Sequence, residues 1–170
     1  PAHWNNSFEV IMPVVNEYTV YVSDIAYVVK PDEVLIIPAG AVHEIYAPPV
    51  GRRYIFMIEQ SQFYAVDGLA AVQHCFYPCV HLSHEQHESI LKEVNGYLKQ
   101  AIHEYNAENA FGRSAVRLWL GLAFLKTARY LIEDQTRSDV QTHHRHHQSS
   151  MVFMDVCTYI AEHCTEKLNL

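Results

Sequence analysis

Between Phe8 and Glu59 the chain has no room for a long helix, because turn-forming residues interrupt it every few positions. The uninterrupted runs are Phe8–Val15, Tyr18–Val22, Ile25–Lys30, Val34–Ile37, Val42–Ala47 and Arg53–Glu59. Each is short and rich in Val, Ile, Tyr and Phe, residues that suit a pleated, half-buried surface. The breaks fall at Asn16-Glu17, Ser23-Asp24, Pro31-Asp32, Pro38-Ala39-Gly40 and Pro48-Pro49-Val50-Gly51. These residues favour turns through preset or left-handed backbone angles. Such spacing predicts an antiparallel barrel or a double-sheet jelly roll. Pro13 has no N–H for a ladder, so the first strand should bulge or lie at an edge there.

After Glu59 the hydrophobic period changes. Ser61–Ala71 reads as a short helix or an irregular link, and Pro78–Leu82 as a returning strand. Ser83-x-x-Gln86, with Glu85 in the first turn, has the form of a capping box, so a helix is predicted from Ser83 to about Asn106. Its apolar face is Ile90, Val94, Leu98, Ala101 and Tyr105. A second helix is predicted from Gly112 to Asp134. There Leu118, Leu122, Leu125, Arg129 and Ile132 form a heptad-like seam, while Val116, Trp119, Leu120, Ala123, Phe124 and Leu131 cover much of the rest. A helix apolar nearly all round packs on more than one side. One side is expected against the barrel and the first helix, and the seam against a second subunit in a homodimer.

Residues 135–150 are polar, with His143-His144-Arg145-His146-His147 near their centre, and read as a linker. Met151–Glu166 is amphipathic again and predicts a terminal helix. The expected organisation is a ligand-binding barrel over 1–82, a helical dimerisation segment over 83–134, a linker over 135–150 and the start of another domain over 151–170. The fold class is mainly β plus α.

The net charge of −7 argues against this stretch alone gripping nucleic acid through phosphates. No apolar run reaches membrane-spanning length, and Pro1-Ala2-His3-Trp4 does not resemble a leader peptide. A cytoplasmic protein with no membrane partner is expected. Both ends look cut, so sequence is expected before Pro1 and after Leu170. Cys75, Cys79, Cys157 and Cys164 match neither a zinc knuckle nor a disulfide framework and are expected to be reduced thiols.

His3, Asn5 and Glu9 share one parity, so in a strand their side chains point to one face. His43, just after the Pro38-Ala39-Gly40 turn, can approach them from a neighbouring strand. Two histidines and a carboxylate resemble the facial triad of non-haem iron sites. Asn5 is a weak neutral donor. No resident metal or cofactor is expected, and His3, Glu9 and His43 are the residues that would hold a metal if one bound. With aromatic walls drawn from Trp4, Phe8, Tyr18, Tyr21, Tyr27, Tyr46, Tyr54 and Phe56, the same region suits a small-molecule pocket. The expected ligand contacts are His3, Asn5, Glu9, Tyr21, Tyr27, His43 and Tyr46. No nucleophile elbow, phosphate-binding glycine loop or His-Glu-x-x-His motif occurs, so catalysis is not expected.

The stretch His3-Trp4-Asn5-Asn6-Ser7-Phe8-Glu9 and the stretch Pro38-Ala39-Gly40-Ala41-Val42-His43 resemble the two signatures of cupin barrels, His-x-His-x3-Glu and Pro-x-Gly-x2-His. Asn5 stands where the second histidine would be. Together with Tyr27-Val28-Val29-Lys30-Pro31-Asp32-Glu33-Val34-Leu35-Ile36-Ile37-Pro38 and Val42-His43-Glu44-Ile45-Tyr46, the chain is similar to the amino-terminal sensing domain of AraC-type transcription regulators. Pro31-Asp32-Glu33 lacks the glycine usual there. Val156–His163 with Glu166–Leu170 is similar to the helix that opens the family's DNA-binding domain. The resemblance implies a cupin-like barrel followed by two long antiparallel helices and a terminal helix. It implies an effector in the barrel (a sugar or a small aromatic acid), a homodimer, and no metal. DNA would be read by a carboxy-terminal helix-turn-helix domain outside this chain, in a bacterial cytoplasm. The alternative is a small metal-dependent cupin enzyme, a dioxygenase or isomerase using His3, Glu9 and His43.

Overall fold

A computed structural model describes residues 1–107 and 109–137. The predicted terminal helix, and the predicted linker past Arg137, lie outside the described residues. The described residues include seven strands: β1 (Ser7–Val15), β2 (Tyr18–Val22), β3 (Ile25–Val29), β4 (Val34–Ile37), β5 (His43–Tyr46), β6 (Arg52–Glu59) and β7 (Val80–Leu82). They form two sheets, a four-stranded one in the order β6-β1-β4-β7 and a three-stranded one in the order β3-β2-β5. All the strand pairs are antiparallel. The predicted link becomes two short helices, α1 (Gln60–Tyr64) and α2 (Leu69–Val72), and a 3-10 turn at Gln73–Phe76. Two long helices, α3 (Glu88–Ala107) and α4 (Gly112–Arg137), complete an α+β architecture. No helix among the described residues is long and apolar enough to cross a membrane.

The pleat of β1 divides the interior. Phe8, Val10 and Met12 point to the helical side, where they meet Phe63, Phe76, Leu91, Leu98 and Phe124 in one buried cluster. Phe8 stacks on Phe63 with centroids 4.3 Å apart and meets Phe76 and Phe124 edge-on. Offset and edge-on ring contacts add to the burial itself. Ile11 points the other way, with Leu35 and Ile37, against Val20, Val22 and Val29 of the smaller sheet. The two sheets therefore enclose a second apolar layer between them.

Turn chemistry explains the joints. Ser23 and Asp24 both have positive φ, 49° and 67°, and Val22 pairs with Ile25. That is the two-residue hairpin loop whose twist matches the strands. The Pro13 expectation holds as a bulge, since the β1–β6 register shifts between Pro13 and Val15. Asp32 takes φ 63°, a left-handed angle that costs a non-glycine residue some energy. Its surroundings hold it there: Lys99 pairs with its carboxylate at 3.0 Å, and Asn95 donates to its carbonyl at 2.6 Å.

The capping-box expectation is corrected. α3 begins at Glu88, not Ser83. His87 N–H does bond the Ser83 carbonyl at 2.9 Å, closing one turn. The Ser83 hydroxyl, however, lies beside the His87 ring, and the His84 N–H donates to Glu33. α4 runs on to Arg137, past the predicted end at Asp134. It doubles back on α3, with Trp119 on Tyr97 and Lys126 on Glu93.

Glu33 ties the β3–β4 turn to the start of the helical region. It is 1% exposed and accepts from Lys30 N–H at 2.9 Å, His84 N–H at 3.0 Å and His81 Nε2 at 3.1 Å. Burial pushes its carboxyl up, but these hydrogen bonds outweigh that and hold it below the usual value. A depressed carboxyl stabilises the fold above the unfolded-state value and loses that contribution as pH falls through the folded one. Glu33→Ala strands two backbone donors and should cost about 2–4 kcal/mol at neutral pH, less in acid, by urea unfolding. An unchanged midpoint would show that Glu33 does not hold this junction.

Candidate functional site

The site is built where the smaller sheet meets β1. The Pro38-Ala39-Gly40 turn sets its floor. Gly40 has φ 81°, an angle that glycine adopts without steric cost. The Tyr77 hydroxyl donates to the Ala39 carbonyl, and Gly40 N–H donates to the Asn5 carbonyl at 2.9 Å. The turn delivers His43 to the inner face of β5. There it meets Glu9, which β1 projects inward opposite Ile37 and Met57.

Glu9 and His43 are both buried, at 4% and 2% exposure, and His43 Nε2 lies 3.1 Å from Glu9 Oε2. His43 Nδ1 lies 2.9 Å from the Ala41 carbonyl, which only accepts, so Nδ1 carries a proton. Nε2 then either donates to the carboxylate, making an imidazolium, or offers its lone pair to a cation between the two. Asn5 turns its amide N–H toward Glu9 Oε2 at 3.2 Å, because its Oδ1 accepts the Ser7 N–H at 3.1 Å. Asn5 therefore positions Glu9, and it is the amide nitrogen, not the oxygen, that faces the carboxylate. His3 pairs backbone-to-backbone with His43, at 3.0 and 2.9 Å, and its ring lies 4.4 Å from the His43 ring. Ligand atoms of His3, Glu9 and His43 all fall within 4.8 Å of one another. The donor set fits a three-residue metal site, with the Nδ1–H···O=C bond of His43 as the supporting contact such ligands usually make.

Burial works against charge on both partners, yet each stabilises the other. The Glu9 carboxyl is held below its usual value by His43 and Asn5, and the His43 imidazole is held above its usual value by Glu9 and the Ala41 carbonyl. The depressed carboxyl contributes stability above its unfolded value of 4.5. The raised imidazole contributes fully below its unfolded value of 6.5 and loses that contribution as pH rises through the folded value. The pair therefore contributes most between those two values.

The space beside the pair opens toward β6. Ile55 and Met57 sit opposite Ile11 and Glu9 on the inner face, yet are 39% and 52% exposed. The smaller sheet packs on β1 and β4, so the β6 inner face at Ile55 and Met57 is left exposed and forms one wall of an open-sided cleft beside Glu9.

Four expected ligand residues, His3, Asn5, Glu9 and His43, thus come together. Tyr27 faces inward, but on the far side, against Cys79 and the His81 ring. Burial pushes the Cys79 thiol up to about 11, and the Tyr27 hydroxyl pulls against this. Neither Cys75 nor Cys79 is in a disulfide among the described residues. The expectation for Tyr21 and Tyr46 is corrected. Val20 and Val22 take the inner positions of β2, and His43 is buried on β5, so the pleat puts both tyrosines on the outer face. They meet edge-on there, 5.5 Å apart and solvent-exposed. Sequence reasoning missed Arg53, Ile55 and Met57. Their alternation was readable, but only the β1–β6 register shows that they share the face of Glu9. On α4, Leu118, Leu122, Arg129 and Ile132 are exposed, while Leu125 packs partly into the core.

A comparison with models of known protein families finds no match, and a comparison with curated proteins finds none either. His43→Ala should cost about 3–5 kcal/mol near pH 6, by leaving the buried Glu9 without its cationic partner, and clearly less in acid, where the Glu9 carboxyl left without His43 takes up a proton. Equal losses at both pH values, by chemical unfolding, would rule out a charged pair.

Proposed function

We propose that this chain is the effector-sensing and dimerisation portion of a DNA-binding transcription regulator, a cupin-like jelly roll followed by two antiparallel helices and a terminal helix. The observation that supports this reading is the buried His–Glu pair, bridged to the amino-terminal segment and lying beside the exposed inner face of β6. A small effector, a sugar or a small aromatic acid, enters the cleft and reaches Glu9 and His43. The segment around His3 is bonded to His43 through its backbone, so an effector that binds one arrangement of pair and segment better shifts the population toward it. The α4 stripe of Leu118, Leu122, Leu125, Arg129 and Ile132 forms the homodimer, and DNA readout belongs to a carboxy-terminal helix-turn-helix domain outside this chain.

Screening sugars and aromatic acids by thermal unfolding tests the effector. A ligand at about one hundred times its Kd stabilises by about 2.7 kcal/mol and raises the midpoint. Glu9→Gln should weaken that ligand at least ten-fold, and a hit insensitive to Glu9→Gln and His43→Ala would place the effector elsewhere. For the dimer, light scattering of the wild-type chain should give twice the chain mass, and Leu118→Asp with Leu122→Asp should halve it. A wild-type monomer would remove the dimer from this reading.

A second reading is favoured by the convergence of His3, Glu9 and His43 within 4.8 Å. In a small cupin enzyme these three would hold a divalent metal that supplies Lewis-acid or oxygen-activating chemistry. The residues themselves would then orient a substrate in the cleft, with Asn5 fixing Glu9. One equivalent of iron, manganese or zinc retained through dialysis and lost in His43→Ala, together with substrate turnover, would favour the enzyme over the regulator.

A further inference from the structure

The cleft carries one charge that the protein leaves unanswered. Arg53 pairs with Pro13 across the β1–β6 ladder, on the same inner face as Ile55 and Met57. Its guanidinium carbon lies 4.7 Å from the centroid of the Tyr18 ring, which is 2% exposed. Nε is buried with no hydrogen-bond partner. Among the described residues the ion pairs of Lys30, Lys99 and Lys126 are formed with Glu85, Asp32 and Glu93, and no carboxylate pairs with Arg53. Held by an aromatic ring and only half-buried, the guanidinium can present its two Nη groups to a planar anion from outside. A carboxylate matches its fork with two parallel hydrogen bonds.

The rest of the cleft specifies the body of that anion. Ile55 and Met57 follow Arg53 at alternate positions and offer apolar surface with no hydrogen-bonding group. At about 3.3 Å per residue, the β6 inner face from Arg53 to Met57 spans about 13 Å. Met57 is opposite Glu9, so the far end of that span is the Glu9–His43 pair. A sugar needs acceptors and donors along its whole length, which this wall does not supply. We infer that the cleft binds a small carboxylic acid with an apolar body, aromatic or medium-chain, its carboxylate on Arg53 and its other end directed toward Glu9 and His43. The inference rests on the sensing reading above and names its effector class.

The test is titration calorimetry of the whole chain with cinnamate and octanoate, against cinnamamide, octanamide and ribose as neutral probes. At least one acid should bind ten-fold or more tightly than its amide. Arg53→Gln should abolish that preference, and Arg53→Lys, which keeps the charge but not the fork, should retain part of it. The Arg53 Nε–H resonance should move on adding the acid, which a purely structural arginine would not show. Met57→Trp, filling the cleft, should weaken the acid with Arg53 intact. If the neutral probes bind as well as the acids and Met57→Trp blocks them, the acid assignment is overturned while the sensing cleft stands. If neither acids nor neutral probes bind, the assignment is overturned, and an effector found by the broader screen whose binding ignores Met57→Trp takes the sensing cleft with it.

Discussion

The constraint on which the rest depends is that β1 is buried on both faces. Its even positions, Phe8, Val10 and Met12, close the layer against the helices. Of its odd positions, Ile11 joins the layer between the sheets, while Glu9 carries a carboxylate into that same layer. A buried carboxylate demands partners, and the structure answers with His43 from the facing sheet and Asn5 from the preceding segment. The polar site is thus the consequence of one acid placed where the strand otherwise requires a hydrophobe.

A second buried acid follows the same logic elsewhere. Glu33 takes two backbone N–H groups and His81, and in doing so joins the β3–β4 turn to the turn before α3. Its donors are mostly backbone, which fixes a junction. Glu9 has only side-chain donors, one of them an imidazole whose proton can be exchanged, beside an uncovered strand. That difference in donors and access separates a structural carboxylate from a candidate functional one. The open flank of β6 arises because the larger sheet has four strands and the smaller three, so the outer strand lacks a cover.

Much of the fold was legible because local chemistry and tertiary need agreed. Turn residues such as Ser23 and Asp24 adopt the left-handed angles their position predicts, and the strand limits fall within a residue or so of the breaks. Legibility failed where a distant group competed. The Ser83 box is a sound local signal, but that turn is held instead by the His87 ring on Ser83 and by Glu33, fifty-one residues away, on the His84 N–H, and the helix begins at Glu88. Tyr21 and Tyr46 looked like pocket walls by composition. Which face an aromatic occupies depends on the phase of the pleat, and the buried valines set that phase.

By itself the sequence determined the order of strands and helices, the turn sites, and that His3, Asn5 and Glu9 have one parity, because all of these depend on residue type and short spacing; the arrival of His43, thirty-four residues from Glu9, is a tertiary outcome. Only the tertiary structure decided that Asn5 turns its amide nitrogen to Glu9, since that rests on which amide atom Ser7 engages. Only it decided that Arg53, Ile55 and Met57 share the cleft, because strand register is a long-range property that no local pattern encodes.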